Sequence, residues 1–147
     1  MTTLDTFADL IGRDSLCVVT STRPDGTAQA SVVNAGVLPH PIGGTAVVAY
    51  VARGDALKLR NVRSRPATTV VARDGFEWAT VEGRAEVVGP DDPNPAVDPE
   101  RLRLLLREVF TAAGGTHDDW DAFDRAMADE RRAVVLVTPH RIYGVTR

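Results

Sequence analysis

Hydrophobic positions along the chain follow two periods. In LDTFADLIG, residues 4–12, Leu4, Phe7, Ala8 and Ile11 recur at helical spacing, which predicts a short N-terminal helix ended by Gly12. The period then shortens. SLCVVTST and TAQASVVNAGVL are rich in β-branched residues and flank Arg23-Pro24-Asp25-Gly26, where proline presets the turn and glycine accepts a positive φ, so the two runs predict a hairpin. A second turn from Pro39 to Gly44 leads into TAVVAYVA, whose unbroken apolar character suits a central strand covered on both faces. Asp55 is placed to cap a helix of about two turns, and Pro66 forces the chain out of it. ATTVVAR and FEWATVEGRAEVVG predict another hairpin around Asp74-Gly75, its second strand bent or bulged near Gly83.

The last third alternates differently. Residues 89–99, GPDDPNPAVDP, hold four prolines and predict an exposed acidic loop. Residues 100–130 predict a helical pair. Leu102, Leu105, Leu106 and Val109 form the buried face of the first helix, and Gly114-Gly115 stops it. The second runs through Trp120, Phe123, Ala126 and Met127, with Thr116 as N-cap and Asp119 three places on. AVVLVTPHRIYGVT predicts a closing strand, bent or broken at Pro139. About six strands in antiparallel succession, with one helix after the third and two before the last, usually close to remove their edges. The expected fold is therefore mainly β, a small antiparallel barrel with peripheral helices, in a single domain over residues 1–147.

At 147 residues and 15.8 kDa one core suffices, and 44% hydrophobic with 25% charged residues is an ordinary globular balance. The start, MTTLDTFADL, has no basic region followed by an apolar one, and no apolar run reaches membrane-spanning length. A cytoplasmic protein with no membrane partner is expected. Cys17 is the only cysteine, lies in an apolar run, and reads as a buried structural thiol. His40, His117 and His140 have no metal-ligand spacing to a partner, so no metal site is expected. The sequence has no phosphate-loop or dinucleotide fingerprint and no triad, and it nominates no catalytic residue.

One stretch stands out against the net charge of -3. RGDALKLRNVRSRP, residues 53–66, gathers Arg53, Lys58, Arg60, Arg63 and Arg65 against Asp55 alone. Three readings compete: a solvated helix face, a nucleic-acid contact, or a seat for a phosphorylated ligand. An acidic chain with a pI near 5.6 and no RNA-binding aromatic pair argues against nucleic acid as a partner. Successive helical residues turn by about 100°, so Lys58 and Asn61 are neighbours while Arg60 lies roughly 160° from Lys58. Lys58 with Asn61 is thus the expected ligand-facing pair, helped by the helix N-terminus and by Arg53. Ala56, Leu59 and Val62 are expected against the barrel, and Arg63 and Arg65 in solvent.

These features together resemble a known family. The order of a strand, then K-x-R-N-[LV]-x-x-x-P from Lys58 to Pro66, a valine-rich strand, D-G, an aromatic pair, V-E-G-x-A, and a late H-x-D-W helix before RRAVVLVTPHRIYG is similar to the pyridoxamine-phosphate-oxidase-like split β-barrels. Within them it is most similar to the actinobacterial branch that uses the deazaflavin coenzyme F-420. The resemblance implies a six-stranded antiparallel split barrel of the FMN-binding-protein type. It also implies a homodimer with the cofactor between protomers, and hydride transfer from reduced F-420 to a small conjugated or unsaturated organic substrate. FMN is the alternative cofactor, and a non-catalytic F-420 carrier the alternative role. Carried over, Lys58 meets the cofactor's phosphate, supported by Asn61 and Arg60, with Arg53 standing in for a basic residue that some relatives carry where this chain has Ala56. Thr20, Ser31, Asn34, Tyr50 and Val51 lie where the ring and ribityl chain are placed, and Phe76 and Trp78 match aromatic positions near the cleft. Strand aromatics also serve core or dimer packing. Such an enzyme needs no acid/base set, because the ring carries the electrons and the protein positions it. Tyr50 and Tyr143 are the candidate proton donors.

Overall fold

A computed structural model describes residues 1–147. Six strands, β1 (Leu16–Thr22), β2 (Ala28–Pro39), β3 (Ala46–Ala52), β4 (Ala67–Asp74), β5 (Glu77–Val88) and β6 (Ala133–Val145), close into an antiparallel barrel. Its order is β1-β2-β3-β6-β5-β4. Four helices decorate it: α1 (Leu4–Arg13), α2 (Leu57–Ser64), α3 (Pro99–Ala112) and α4 (Trp120–Asp129).

The helices α1 and α2 stopper opposite ends of the barrel. Phe7, Leu10 and Ile11 of α1 join the interior cluster, and Arg13 ties that helix to Asp74 and Glu77 at 3.0 and 2.9 Å. Full burial of a side chain such as Phe7 or Leu10 contributes about 1.5–3 kcal/mol. At the other end α2 inserts Leu59 and Val62 into the same interior. Val48, Tyr50 and Ala52 of β3 face that interior, while Val47 and Ala49 face a second core made with α3 and Phe123 of α4. That is why β3 reads as a continuous apolar run: it is packed on both faces. Cys17 is buried in the barrel, and burial pushes its thiol up to about 12.

The irregularity near Gly83 is a register shift. Glu82 pairs with Arg141 but Gly83 with Pro139, so His140 is the extra residue on β6. A Cβ at Gly83 would lie 2.1 Å from the Thr138 carbonyl oxygen, which leaves room for glycine alone. Of the bend or break expected at Pro139, β6 shows no break: it continues through the proline, and the bulge absorbs it.

Two caps differ from expectation. The N-cap of α2 is Ala56, without a side-chain bond, because Asp55 faces Arg53 at 3.7 Å instead. The N-cap of α4 is Asp119 and not Thr116; its side chain accepts from the Ala122 N–H. The 89–99 segment is a mostly exposed loop in which Gly89 and Val97 are buried. It is fastened to α2 by a two-pronged Arg63–Asp92 pair (2.6 and 2.8 Å) and to the α4–β6 turn by Arg131–Asp91.

Candidate functional site

The barrel opens on one side. β2 pairs with β3 only from Ala35↔Tyr50 to Pro39↔Ala46; nearer its start, β2 pairs with β1 alone, and Val51 and Ala52 pair with β6 alone. A cleft of about 820 Å³ enters at this divergence, lined by Val32, Val33 and Asn34 of β2 and by Val51, Ala52 and Arg53 at the end of β3. Its size suits a cofactor or drug-sized molecule.

One end of the cleft is cationic. Lys58, partly buried, donates from Nζ to Ser31 Oγ at 3.1 Å and makes no salt bridge with any carboxylate. Burial, and then the charge of Arg132, hold its ammonium below the usual lysine range. Arg53 and Arg132 line the same cleft, but each has an acid of its own, Asp55 at 3.7 Å and Glu130 at 3.1 Å. Lys58 is the cation left to an incoming anion. The two basic segments are clasped at Gly54, whose N–H donates to the Glu130 carbonyl at 3.2 Å. A Cβ there would meet the Arg131 oxygen at 2.7 Å, and Arg131 itself turns with φ 49°. Glycine at 54 lets the chains approach closely enough to set Arg132 beside Lys58.

Of the residues expected at a site, Lys58, Arg53, Asn34 and Val51 line this cleft, and Ser31 bonds to Lys58. Asn34 accepts from Ser15 Oγ at 2.9 Å. Asn61 does not join them. It is 1% exposed, and its amide donates to Ser21 Oγ at 3.0 Å, with Ser21 in turn donating to Gln29. The reason is the width of the buried arc: α2 plugs a barrel end, so about 160° of its circumference, from Leu59 round to Asn61, faces inward. Lys58 lies within that arc one turn nearer the N-terminus, where a long side chain reaches out to the cleft. Arg60 is exposed and outside the cleft. Arg65, expected in solvent, donates to the Thr22 carbonyl at 2.7 Å, and Arg63 holds Asp92.

Thr20, Trp78, Phe76 and both tyrosines lie elsewhere in the molecule. Thr20 borders a shallow polar hollow on the outer surface with Thr69, Glu82 and Arg141. Trp78 stands edge-on to Tyr143 on the outside of β5 and β6, centroids 6.1 Å apart, and Phe76 is 88% exposed in the β4–β5 turn. The Tyr143 hydroxyl donates to Glu82 at 2.5 Å, which raises its pKa. Tyr50 is sealed in the barrel with its hydroxyl unpartnered, and burial pushes its pKa up. A phenol enclosed on all sides cannot hand a proton to a ligand in the cleft.

Sequence reasoning missed the helical wall. Phe110, Phe123 and Met127, with His117, line the cleft together with Lys58, and Arg132 joins its cations. Their spacing on α3 and α4 signals only a buried helical face. Some of that face is cleft wall because the helices overhang the divergence of β2 and β3.

Several solved structures have this architecture. A conserved hypothetical protein of Mycobacterium tuberculosis superposes with a TM-score of 0.71 at 19% identity, over 98% of this chain and 84% of that one. The fold is the split β-barrel. An F-420 reductase shares the split barrel with a TM-score of 0.63 at 18% identity, over 93% of this chain and 95% of that one. A pyridoxamine 5'-phosphate oxidase-related FMN-binding protein of Nostoc punctiforme does so with a TM-score of 0.64 at 12% identity, over 94% and 81%. No protein-family model matches the sequence. No helix of the split barrel is long and apolar enough to cross a membrane.

Proposed function

We propose that this split barrel is a homodimeric oxidoreductase whose cleft takes coenzyme F-420 and passes hydride from its reduced form to a small conjugated or unsaturated organic substrate. The observation that carries the reading is Lys58: an ammonium drawn out of water, opposed by Arg132, lacking a carboxylate, and facing a cleft large enough for a cofactor. A phosphate supplies the missing charge. The F-420 reductase among the structures of the same fold is consistent with it.

In this reading Lys58 grips the phosphate, with Arg53 and Arg132 as longer-range attraction, and Ser31 orients the ammonium. Asn34 and the free edges of β2 and β3 offer hydrogen-bonding groups to the rest of the molecule. The bound coenzyme supplies the hydride; the protein holds it, orients it and keeps water away. The second protomer is argued from the outer surface. Val32, Val18, Val71, Thr80 and Tyr143 form one cross-strand row over β2, β1, β4, β5 and β6, and Val18 and Val32 are 43% and 61% exposed. Such a row asks for a partner. Pairing there brings the outer-face residues Thr20 and Trp78 to a seam between copies.

Titration of the protein with F-420 and with FMN, followed by fluorescence anisotropy, tests the cofactor. Tight F-420 with weak FMN supports the proposal; tight FMN with no deazaflavin binding overturns it in favour of an FMN-dependent oxidase or reductase, the reading that the FMN-binding relative of the fold favours. Binding of F-420 without turnover of any conjugated acceptor would identify a carrier.

A further inference from the structure

The cleft is chemically divided. Every cation that lines it, Arg53, Lys58 and Arg132, sits at the end formed by β3, α2 and the start of β6. The wall contributed by residues 109–127 contains no charged group; apart from His117 it is apolar side chain or glycine. Phe110, Phe123 and Met127 are its large members.

His117 is held in one orientation within that wall. Its Nδ1 accepts the Asp119 backbone N–H at 3.0 Å, so the neutral imidazole carries its proton on Nε2. Ring contacts with Phe110, Trp120 and Phe123, at centroid distances of 6.3, 5.9 and 5.7 Å, fix the ring plane. The nearest carboxylate, Asp118, is fully exposed and 3.9 Å from Nδ1, on the edge already engaged. The side chain remains 32% exposed, with Nε2 making no hydrogen bond within the protein. One oriented donor in an apolar wall discriminates strongly, because a ligand without an acceptor leaves that donor desolvated and unpaired.

We propose that the α3–α4 wall of the cleft binds a flat, uncharged aromatic ligand with one carbonyl at its rim, and that His117 selects this ligand by donating a hydrogen bond from Nε2. Flatness follows from the aromatic and thioether side chains of the wall. The absence of charge follows from its lining, and the carbonyl from the single donor. That the ligand is the hydride acceptor rests on the coenzyme reading above; that the wall binds it does not.

Calorimetric titration with 2-acetylnaphthalene and with 2-ethylnaphthalene, near-isosteres that differ in the carbonyl, tests the wall directly. The ketone is expected to bind at least about tenfold tighter, the scale of one hydrogen bond. His117→Phe should bring the two affinities within about threefold while keeping the apolar wall, and His117→Gln, which retains a donor, should restore part of the preference. Equal affinities in the parent protein, or an unchanged preference in His117→Phe, overturn the proposal. Repeating the titration with saturating F-420 separates the two readings. Loss of coenzyme binding with the preference intact removes the coenzyme reading and leaves the wall. Competition between coenzyme and ketone overturns the assignment of the wall to a substrate.

Discussion

Lys58 and Asn61 share one helix and nearly one face, yet their substitutions should separate cleanly. Lys58→Ala removes a charge-assisted contact and is expected to weaken coenzyme binding by about 1.5–3 kcal/mol with little change in the urea midpoint. Asn61→Ala breaks a buried pair with Ser21 and should lower stability by about 1–3 kcal/mol while affecting affinity far less than the lysine change does. The ammonium also makes a pH prediction. Its pKa in the folded protein lies below the unfolded value, first through burial and then through Arg132. Between those two values the unfolded chain holds more protons, so the Lys58 contribution makes stability rise with pH across that window. Phosphate binding runs the other way and fades as pH climbs through the lowered pKa, earlier than with an unperturbed lysine. Binding isotherms between pH 7 and pH 10 check the sign, and Lys58→Arg should flatten the profile. The placement of Lys58 at a cleft was legible in the sequence from its spacing on the helix, beside the competing reading of a solvated face. The role of Asn61 was not, because periodicity gives the direction of a side chain but not the width of the arc that a barrel end covers.

At the scale of elements, the site depends on how the β3–α2 connection meets the α4–β6 turn. Gly54→Ala inserts a methyl where the Arg131 oxygen lies 2.7 Å away, and backbone cannot yield as a side chain can. The turn must move, taking Arg132 from Lys58. A stability loss of more than about 1 kcal/mol is expected together with weaker coenzyme binding, whereas Gly83→Ala, with its clash at 2.1 Å against Thr138, should destabilise without that specific loss per unit of stability. Urea denaturation and anisotropy on the two variants make the comparison. The strands, the hairpins and the helical pair could be read from period and turn residues, since those signals are local, whereas the bulge expected on β5 near Gly83 has its extra residue on β6. The caps of α2 and α4 could not. Asp55 is drawn to Arg53, and His117 accepts the Asp119 N–H that precedes α4, so in both places a neighbour decided which residue closes the helix.

Closure and splitting are properties of the whole barrel. β2 spans twelve residues and β3 seven, so part of β2 has no β3 partner; the mismatch in length is visible in the sequence, but where it opens depends on the pairing Ala35↔Tyr50. Opposite in character is the outer row through Val32, Val18, Val71, Thr80 and Tyr143, of which Val32, Val18 and Tyr143 are exposed. Val18 pairs with Val32 on one side and Val71 on the other and is 43% exposed, so a charge there meets water in the monomer and apolar surface in a dimer. Val18→Glu should therefore leave the barrel folded while shifting sedimentation from dimer to monomer. If the coenzyme ring rests at the seam, the same substitution lowers coenzyme affinity although Val18 itself does not line the cleft. A monomeric parent would dismiss the row as an interface. A dimer that Val18→Glu dissolves with affinity unchanged would confine the whole cofactor to the cleft of one protomer, beside Lys58.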